Sequence, residues 1–268
     1  MKRLAWLTDI HLNFVDASAV EAFLRSVAQN KADVFLLGGD IGEAPDVARY
    51  LNAIHDVVRR PVYFVLGNHD FYRGSIAGVR SKVRTLISAC PNLHYLSDSG
   101  VVPLTEKTCL IGHDGWGDGR IGDYFGSDVM LNDWSLIEEF AGFDEPMDLR
   151  LAKLHALGDE AAIHFRKVLP DALRQFHHVV VLTHVPPFRE ACWHEGQIST
   201  DDWLPHFTCQ AAGEALVEAM SAAVNRQMTV LCGHTHGGGE TQVAPNLRVL
   251  TGAARYGRPE MQKVMPVA

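Results

Sequence analysis

The sequence has no long apolar run. Nothing in its 268 residues approaches the roughly 18 consecutive apolar residues that a membrane helix needs. The first twelve residues are apolar only in short stretches, too little for the core of a signal peptide. A cytoplasmic location with no membrane partner is the expectation. Cysteine is scarce: the five (Cys90, Cys109, Cys192, Cys209, Cys232) are odd in number and form no Cys-x-x-Cys pair. That excludes a disulfide framework and a thiolate zinc site, and the cysteines read as small buried hydrophobes. Basic residues are also short, 24 Lys and Arg against 32 Asp and Glu, for a net charge of -8. Nonspecific binding to DNA or RNA requires a basic track, so this balance disfavours a nucleic-acid partner. Histidine, by contrast, occurs 14 times, which directs attention to metal sites.

The chain is built largely from short apolar segments alternating with helical patterns. Arg3–Thr8, Val34–Leu37 and Val62–Leu66 read as buried strands. A Ser18–Glu21 capping-box pattern opens a helix to about Gln29; Pro45 opens another that ends near Arg59; a third spans about Ser75–Ser88. Strand–helix–strand repetition predicts right-handed crossovers and a largely parallel sheet. After Pro91, Val101–Leu104 and Thr108–Ile111 read as strands about a turn at Glu106-Lys107, which predicts a second sheet or a mixed edge. Residues 114–170 form an acidic, mostly irregular insertion, with a helix over about Leu149–Val168, and their length predicts a lid. Val179–Leu182 and Thr229–Leu231 are again strands, separated by a helix near Ala211–Asn225. Thr241–Ala244 and Leu247–Leu250 close the chain as a hairpin. No repeat or linker interrupts residues 1–268, which read as a single domain.

Polar residues fall where these strands end. Asp9 and His11 follow the first, Asp40 the second, Asn68 and His69 the third, and His184, His234 and His236 the later two. Ligands of open α/β sheets gather beyond the carboxyl ends of the strands, so five strands deliver Asp, Asn and His to one rim. These nitrogen and oxygen donors suit manganese, iron or zinc. Gly39, Gly67 and Gly233 precede ligand types and permit tight left-handed turns. Any one block alone reads as an ordinary turn with a solvated side chain; five in order do not.

The series Asp9-Ile10-His11, Gly39-Asp40, Gly67-Asn68-His69-Asp70, Thr183-His184 and Gly233-His234-Thr235-His236 resembles the calcineurin-like metallophosphoesterase family. The resemblance implies an α/β fold, a double β-sheet sandwich flanked by helices, with the site at the C-terminal strand ends. It implies two divalent metal ions, with a bridging hydroxide that attacks phosphorus. Asp9, His11, Asp40 and His236 would hold one metal; Asp40, Asn68, His184 and His234 would hold the other. His69 would be the catalytic histidine, oriented by Asp70. Two cations about 3.5–4 Å apart suit in-line attack on phosphorus. Glu43 stands where purple acid phosphatases carry a tyrosine ligand, which argues against an iron(III)–tyrosinate pair. The Val-Asp-Arg-Gly continuation of Ser/Thr protein phosphatases is absent, and relatives acting on a lipid A precursor have arginine where His69 stands. The expected substrate is a small phosphate ester, diester ahead of monoester. A noncatalytic scaffold is the rival, disfavoured by the complete ligand set.

His113, at the end of another strand, is a candidate for substrate binding at the same rim. Trp193, His194 and Trp203 read as pocket wall or as packing. His177-His178 reads as solvated or capping, and His55, His94, His155, His164 and His206 as structural.

Overall fold

A computed structural model describes residues 1–140 and 142–268. The first half runs β1 (Lys2–Leu7), α1 (Ala17–Gln29), β2 (Val34–Gly38), α2 (Val47–Val58), β3 (Val62–Val65), α3 (Ile76–Ala89) and β4 (Leu93–Tyr95). Next come β5 (Val102–Pro103), β6 (Thr108–His113), α4 (Asp133–Leu136), α5 (Met147–Gln175) and β7 (His178–Thr183). The remainder is β8 (Trp193–His194), β9 (Gln197–Ile198), α6 (Leu204–Phe207), α7 (Gln210–Ala222), β10 (Gln227–Cys232), β11 (Gly239–Ala244), β12 (Leu247–Thr251) and β13 (Met261–Val267).

Two sheets result. The first has the order β13-β1-β2-β3-β4, parallel except for β13; the second has the order β11-β12-β10-β7-β6-β5, parallel except at its edges. Side-chain parity explains why both stack. Leu4 and Trp6 of β1, Leu36 of β2, Val180 and Leu182 of β7 and Leu231 of β10 point into the space between the sheets. Their neighbours Ala5, Leu7, Phe35 and Leu37 point outward under α1 and α2. Val179, Val181 and Val230 likewise point outward under α5 and α7. Strands covered on both faces read as continuous apolar runs, which is how the sequence shows them. The expected double sandwich flanked by helices is present. No helix among the described residues is long and apolar enough to cross a membrane. All five cysteines are free and buried.

Local expectations needed three corrections. Asp16, not Ser18, caps α1: its Oδ1 accepts from the Ala19 amide at 2.9 Å, and the Ser18 hydroxyl donates to the same oxygen. α5 runs through Pro170 to Gln175, because Leu169, Ala172 and Phe176 bury apolar surface on the second sheet. That burial outweighs a proline's lost hydrogen bond, about 3 kcal/mol. The hairpin of β11 and β12 does not end the chain, since β13 returns to pair antiparallel with β1. Within 114–170 the expected helix is present as part of α5, a flanking helix packed on α7 and β6.

Candidate metal centre

The loops after β1, β2, β3, β7 and β10 meet at one end of the sandwich. They are zipped by backbone bonds: Asp9 N–H to Gly39 O, His11 N–H to Asp40 O, and Gly233 N–H to His184 O, at 2.9–3.1 Å. Two clusters of side chains follow. In one, donor atoms of Asp9, His11, Asp40 and His236 all lie within 4.8 Å of one another. His11 Nε2 is 3.1 Å from His236 Nε2 and 3.6 Å from Asp40 Oδ2, and His236 Nε2 is 3.5 Å from Asp9 Oδ1. In the other, His184 Nε2 lies 3.3 Å from Asn68 Oδ1 and 3.4 Å from Asp40 Oδ1. His234 Nδ1 is 3.1 Å from Asn68 Oδ1 and 3.2 Å from His184 Nε2. The two carboxylate oxygens of Asp40 therefore face different clusters.

The hydrogen bonds outside the second cluster fix which atoms point in. His184 Nδ1 is 2.8 Å from Gly38 O, and a carbonyl only accepts, so the proton is on Nδ1 and the Nε2 lone pair is free. His234 is held the other way round: Nε2 donates to His206 O at 3.1 Å and Nδ1 is free. Asn68 Nδ2 donates to Asp133 Oδ1 at 2.8 Å, which turns its carbonyl oxygen toward the two histidines. The Tyr72 hydroxyl donates to the same Asp133 oxygen at 2.7 Å. Asp133 was not singled out in the sequence, where it is one of many acidic residues in the insertion, 65 positions from Asn68.

Backbone strain marks the rim. Among the described residues, eight non-glycine residues have positive φ, and five of them are Asp9 (51°), His11 (39°), Asp40 (52°), His234 (70°) and His236 (60°). For residues with a Cβ this conformation costs about 1–2 kcal/mol each and clusters at functional sites. The expected role of the glycines holds at Gly39, with φ of 88°. Gly67 and Gly233 serve space instead: a Cβ on Gly67 would run into the Asp40 carboxylate, and one on Gly233 into that of Asp9.

Charge within the clusters is unbalanced in a way a cation relieves. Burial, then Asp9 and Asp70, push Asp40 well above the usual carboxylate range. Asp9 goes the other way: burial would raise it, but His236, His184 and His11 hold it below that range. Burial lowers His11 and His234 as well, the latter to about 3. Two buried carboxylates side by side cannot both ionise unless positive charge lies between them. Neutral imidazoles with inward lone pairs and carboxylates needing a counter-charge form a donor set that fits a divalent metal.

Other sequence candidates lie elsewhere. His69 is beside the clusters, its ring 4.7 Å from that of His11 and 4.3 Å from that of Tyr72, and its buried Nδ1 has no hydrogen-bond partner. Among the described residues, no hydrogen bond joins Asp70 to that ring. Asp70 is fully buried and accepts from the backbone N–H of Ile41 (2.8 Å), Gly42 (2.9 Å) and Gly67 (2.9 Å), so it clamps the Asp40 loop to the Asn68 loop. Burial pushes its pKa up to about 7 against those three bonds. His113 is not at the rim. Inward Leu110 sets the parity of β6, which turns Cys109, Ile111 and His113 outward under α5. There it packs on His164 and Phe165, 3% exposed, with no face left for a substrate. His194 Nδ1 bonds Thr235 O at 3.0 Å, and Trp203 stacks on Phe207, which meets His234 edge-on. His178 Nε2 is 2.9 Å from the Thr229 hydroxyl. Trp116, Asp133 and Trp134 of the insertion line a small cavity with Asn68 and His234.

The profile of the calcineurin-like phosphoesterase family matches residues 2–238, which include both clusters. The chain belongs to that family. Its activity is metal-dependent hydrolysis of a phosphoric ester. No curated protein matches the sequence. Among solved structures it is similar to the phosphopantetheinyl hydrolase PptH from Mycobacterium tuberculosis, at 15% identity and a TM-score of 0.65, over 95% of this chain and 89% of that one. It is also similar to a dimetal phosphatase from Danio rerio, at 13% identity and a TM-score of 0.58, over 96% and 89%. At these identities the likeness is one of fold.

Proposed function

We propose that this phosphoesterase works with two divalent metals and hydrolyses a small phosphodiester. The observation that carries the two-metal reading is Asp40, whose Oδ2 faces His11 and whose Oδ1 faces His184. Asp9, His11, Asp40 and His236 are the proposed ligands of one metal; Asp40, Asn68, His184 and His234 are those of the other. Manganese, iron and zinc suit these donors. Bound metals supply Lewis-acid stabilisation and lower the pKa of water. Gly38 O and His206 O keep His184 and His234 in the ligating tautomers, and Asp133 keeps the Asn68 oxygen inward.

His69 is the proposed hydrogen-bond donor to the leaving-group oxygen. Burial, then His184 and His236, hold it down at about 3, so the ring is neutral near pH 7 and offers one N–H. A diester fits better than a monoester because it carries one charge fewer. On a protein of net charge -8 the less charged ester is the less repelled. The net charge of -8 and the buried free cysteines support a small substrate in a reducing, cytoplasmic compartment. The test is turnover of bis-p-nitrophenyl and p-nitrophenyl phosphate by manganese-loaded protein before and after chelation. The diester should be preferred and chelation should abolish the rate. Two bound metals with neither ester hydrolysed would point to a scaffold.

A further inference from the structure

A tight turn follows β12. The Arg258 N–H bonds the Arg255 carbonyl at 3.1 Å, and Gly257 sits between them with φ of 74°. The first and fourth residues of such a turn lie within about 7 Å at Cα, so the two arginines start from neighbouring points of the backbone. The turn is tied to the metal centre at two levels. Ala254 N–H donates to His236 O at 3.2 Å. Tyr256, at the tip, packs its ring 4.6 Å from that of His11 and 5.1 Å from that of His236. A further brace comes from Gln262, which exchanges hydrogen bonds with both backbone groups of Ala253.

Arg255 and Arg258 line a cavity of about 340 Å³ whose wall includes Asp9 and His236. That volume is in the range of small-ligand sites, about 300–1,000 Å³. Most arginines elsewhere are occupied: Arg73 pairs with Glu43 at 3.0 Å, Arg80 with Asp114 at 3.1 Å and Arg189 with Asp201 at 2.8 Å, while Arg59, Arg60 and Arg226 donate to backbone carbonyls. Among the described residues, neither Arg255 nor Arg258 has such a partner, although Glu260 lines the same cavity. A braced pair of like charges facing a cavity, on an acidic protein, lacks only an anion. We propose that Arg255 and Arg258 form an anion subsite beside the metal centre, so the natural substrate is a phosphate ester carrying a second phosphoryl group. This rests on the reading of the Asp and His clusters as the hydrolytic site.

Isothermal titration calorimetry on manganese-loaded protein tests it with thymidine 5′-phosphate and thymidine 3′,5′-bisphosphate, which differ by one phosphoryl group. The bisphosphate should bind about tenfold more tightly, as two exposed charge pairs allow. The difference should shrink as salt is raised from 0.05 to 0.5 M by about a threefold shorter screening length. In Arg255→Gln/Arg258→Gln it should fall to about one. The single variants, each losing part of it, provide the reading if the double variant does not fold. Equal affinities in the parent protein would overturn the subsite, as would a difference that survives in the variants. Equal weakening of both ligands would also overturn it, assigning the arginines to the scissile phosphate. If the protein discriminates between these ligands yet hydrolyses neither diester nor monoester, the reading of the clusters as a hydrolytic site fails and the anion subsite stands.

Discussion

Asp133→Ala isolates the contribution of one side chain to one metal site. Asp133 accepts from Asn68 Nδ2 at 2.8 Å and from the Tyr72 hydroxyl at 2.7 Å, all three residues being buried. Leaving a buried donor unpaired costs about 1–3 kcal/mol. Here Asn68 Nδ2 and the hydroxyl are 3.2 Å apart and can partly satisfy each other, so the lower end applies to the fold. The larger effect falls on the amide's orientation. His184 Nε2 and His234 Nδ1 are both acceptors, because their other nitrogens donate to Gly38 O and His206 O. Without Asp133 a flipped amide would donate to those imidazoles and withdraw the ligand oxygen. Metal binding must then reverse the flip, and loss of such a support typically weakens a metal by 10–100-fold.

The assay is a manganese titration followed by calorimetry, with elemental analysis after dialysis at fixed free metal. The parent protein should show two sites. In Asp133→Ala the site held by Asn68, His184 and His234 should weaken 10–100-fold, while the site held by Asp9, His11 and His236 changes little. Asp133→Asn keeps an acceptor oxygen and should recover most of the loss. Parental affinity at both sites in a folded Asp133→Ala protein would refute the orientation argument. Equal weakening of both sites would reduce Asp133 to general packing.

His69→Ala should lower kcat by about 10²–10³, the usual cost of one preorganised donor, with metal content unchanged. His69→Asn, which can still donate, should recover part of the rate; no recovery would assign proton transfer to the ring instead. Gly67→Ala should displace the Asp40 carboxylate and lower metal content in both sites by elemental analysis, whereas Gly100→Ala, in open space, should leave it at the parental value. Glu160 is held near 2 by His113 and Arg80 against the effect of burial, so its stabilising effect is complete above about 4.5 and fades as pH falls toward 2. With its side chain 47% exposed, screening limits the effect to under about 1 kcal/mol. Urea melts of Glu160→Gln should therefore differ from the parent at pH 7 and converge with it only in acid.

What could be read from the sequence follows from which interactions are local. The five blocks of proposed ligands were visible because buried parallel strands are apolar throughout, so the first polar residue after each run marks the rim. Short or edge strands carry no such run. β4 has three residues, and β13, with Lys263 and Pro266 on an outer edge, alternates too weakly. His113 shows that a strand-end position is insufficient. The rule that separates it from His184 is parity, and inward Leu110 already fixes that for β6. Asp70 was legible as part of a motif but not as a clamp, because its three partners are backbone groups, two of them 28 and 29 residues away. Asp133, Tyr256 and Arg258 had no local signal at all. Each is brought beside the centre by a segment whose course is set by tertiary packing, Asp133 at the start of α4 and the other two on the turn after β12.

The strain at the proposed ligands explains why that packing must be so dense around the rim. A side chain with φ near 50° is disfavoured by about 1–2 kcal/mol wherever it occurs, so a loop free to relax would abandon it. Here relaxation is blocked from several directions. Asp9 is held by Gly39 O through its own N–H and accepts the His234 N–H at 2.9 Å, so the β1 and β10 loops cannot move separately. Asp40 accepts the His69 N–H at 3.0 Å, and the residues after it are pinned by Asp70. His184 joins the two sheets through Gly38 O. Asp9, His11, Asp40 and His184 are thus each restrained by the backbone of a neighbouring loop of the centre. The clusters keep their spacing only while all five loops are in place, which makes the centre a property of both sheets together.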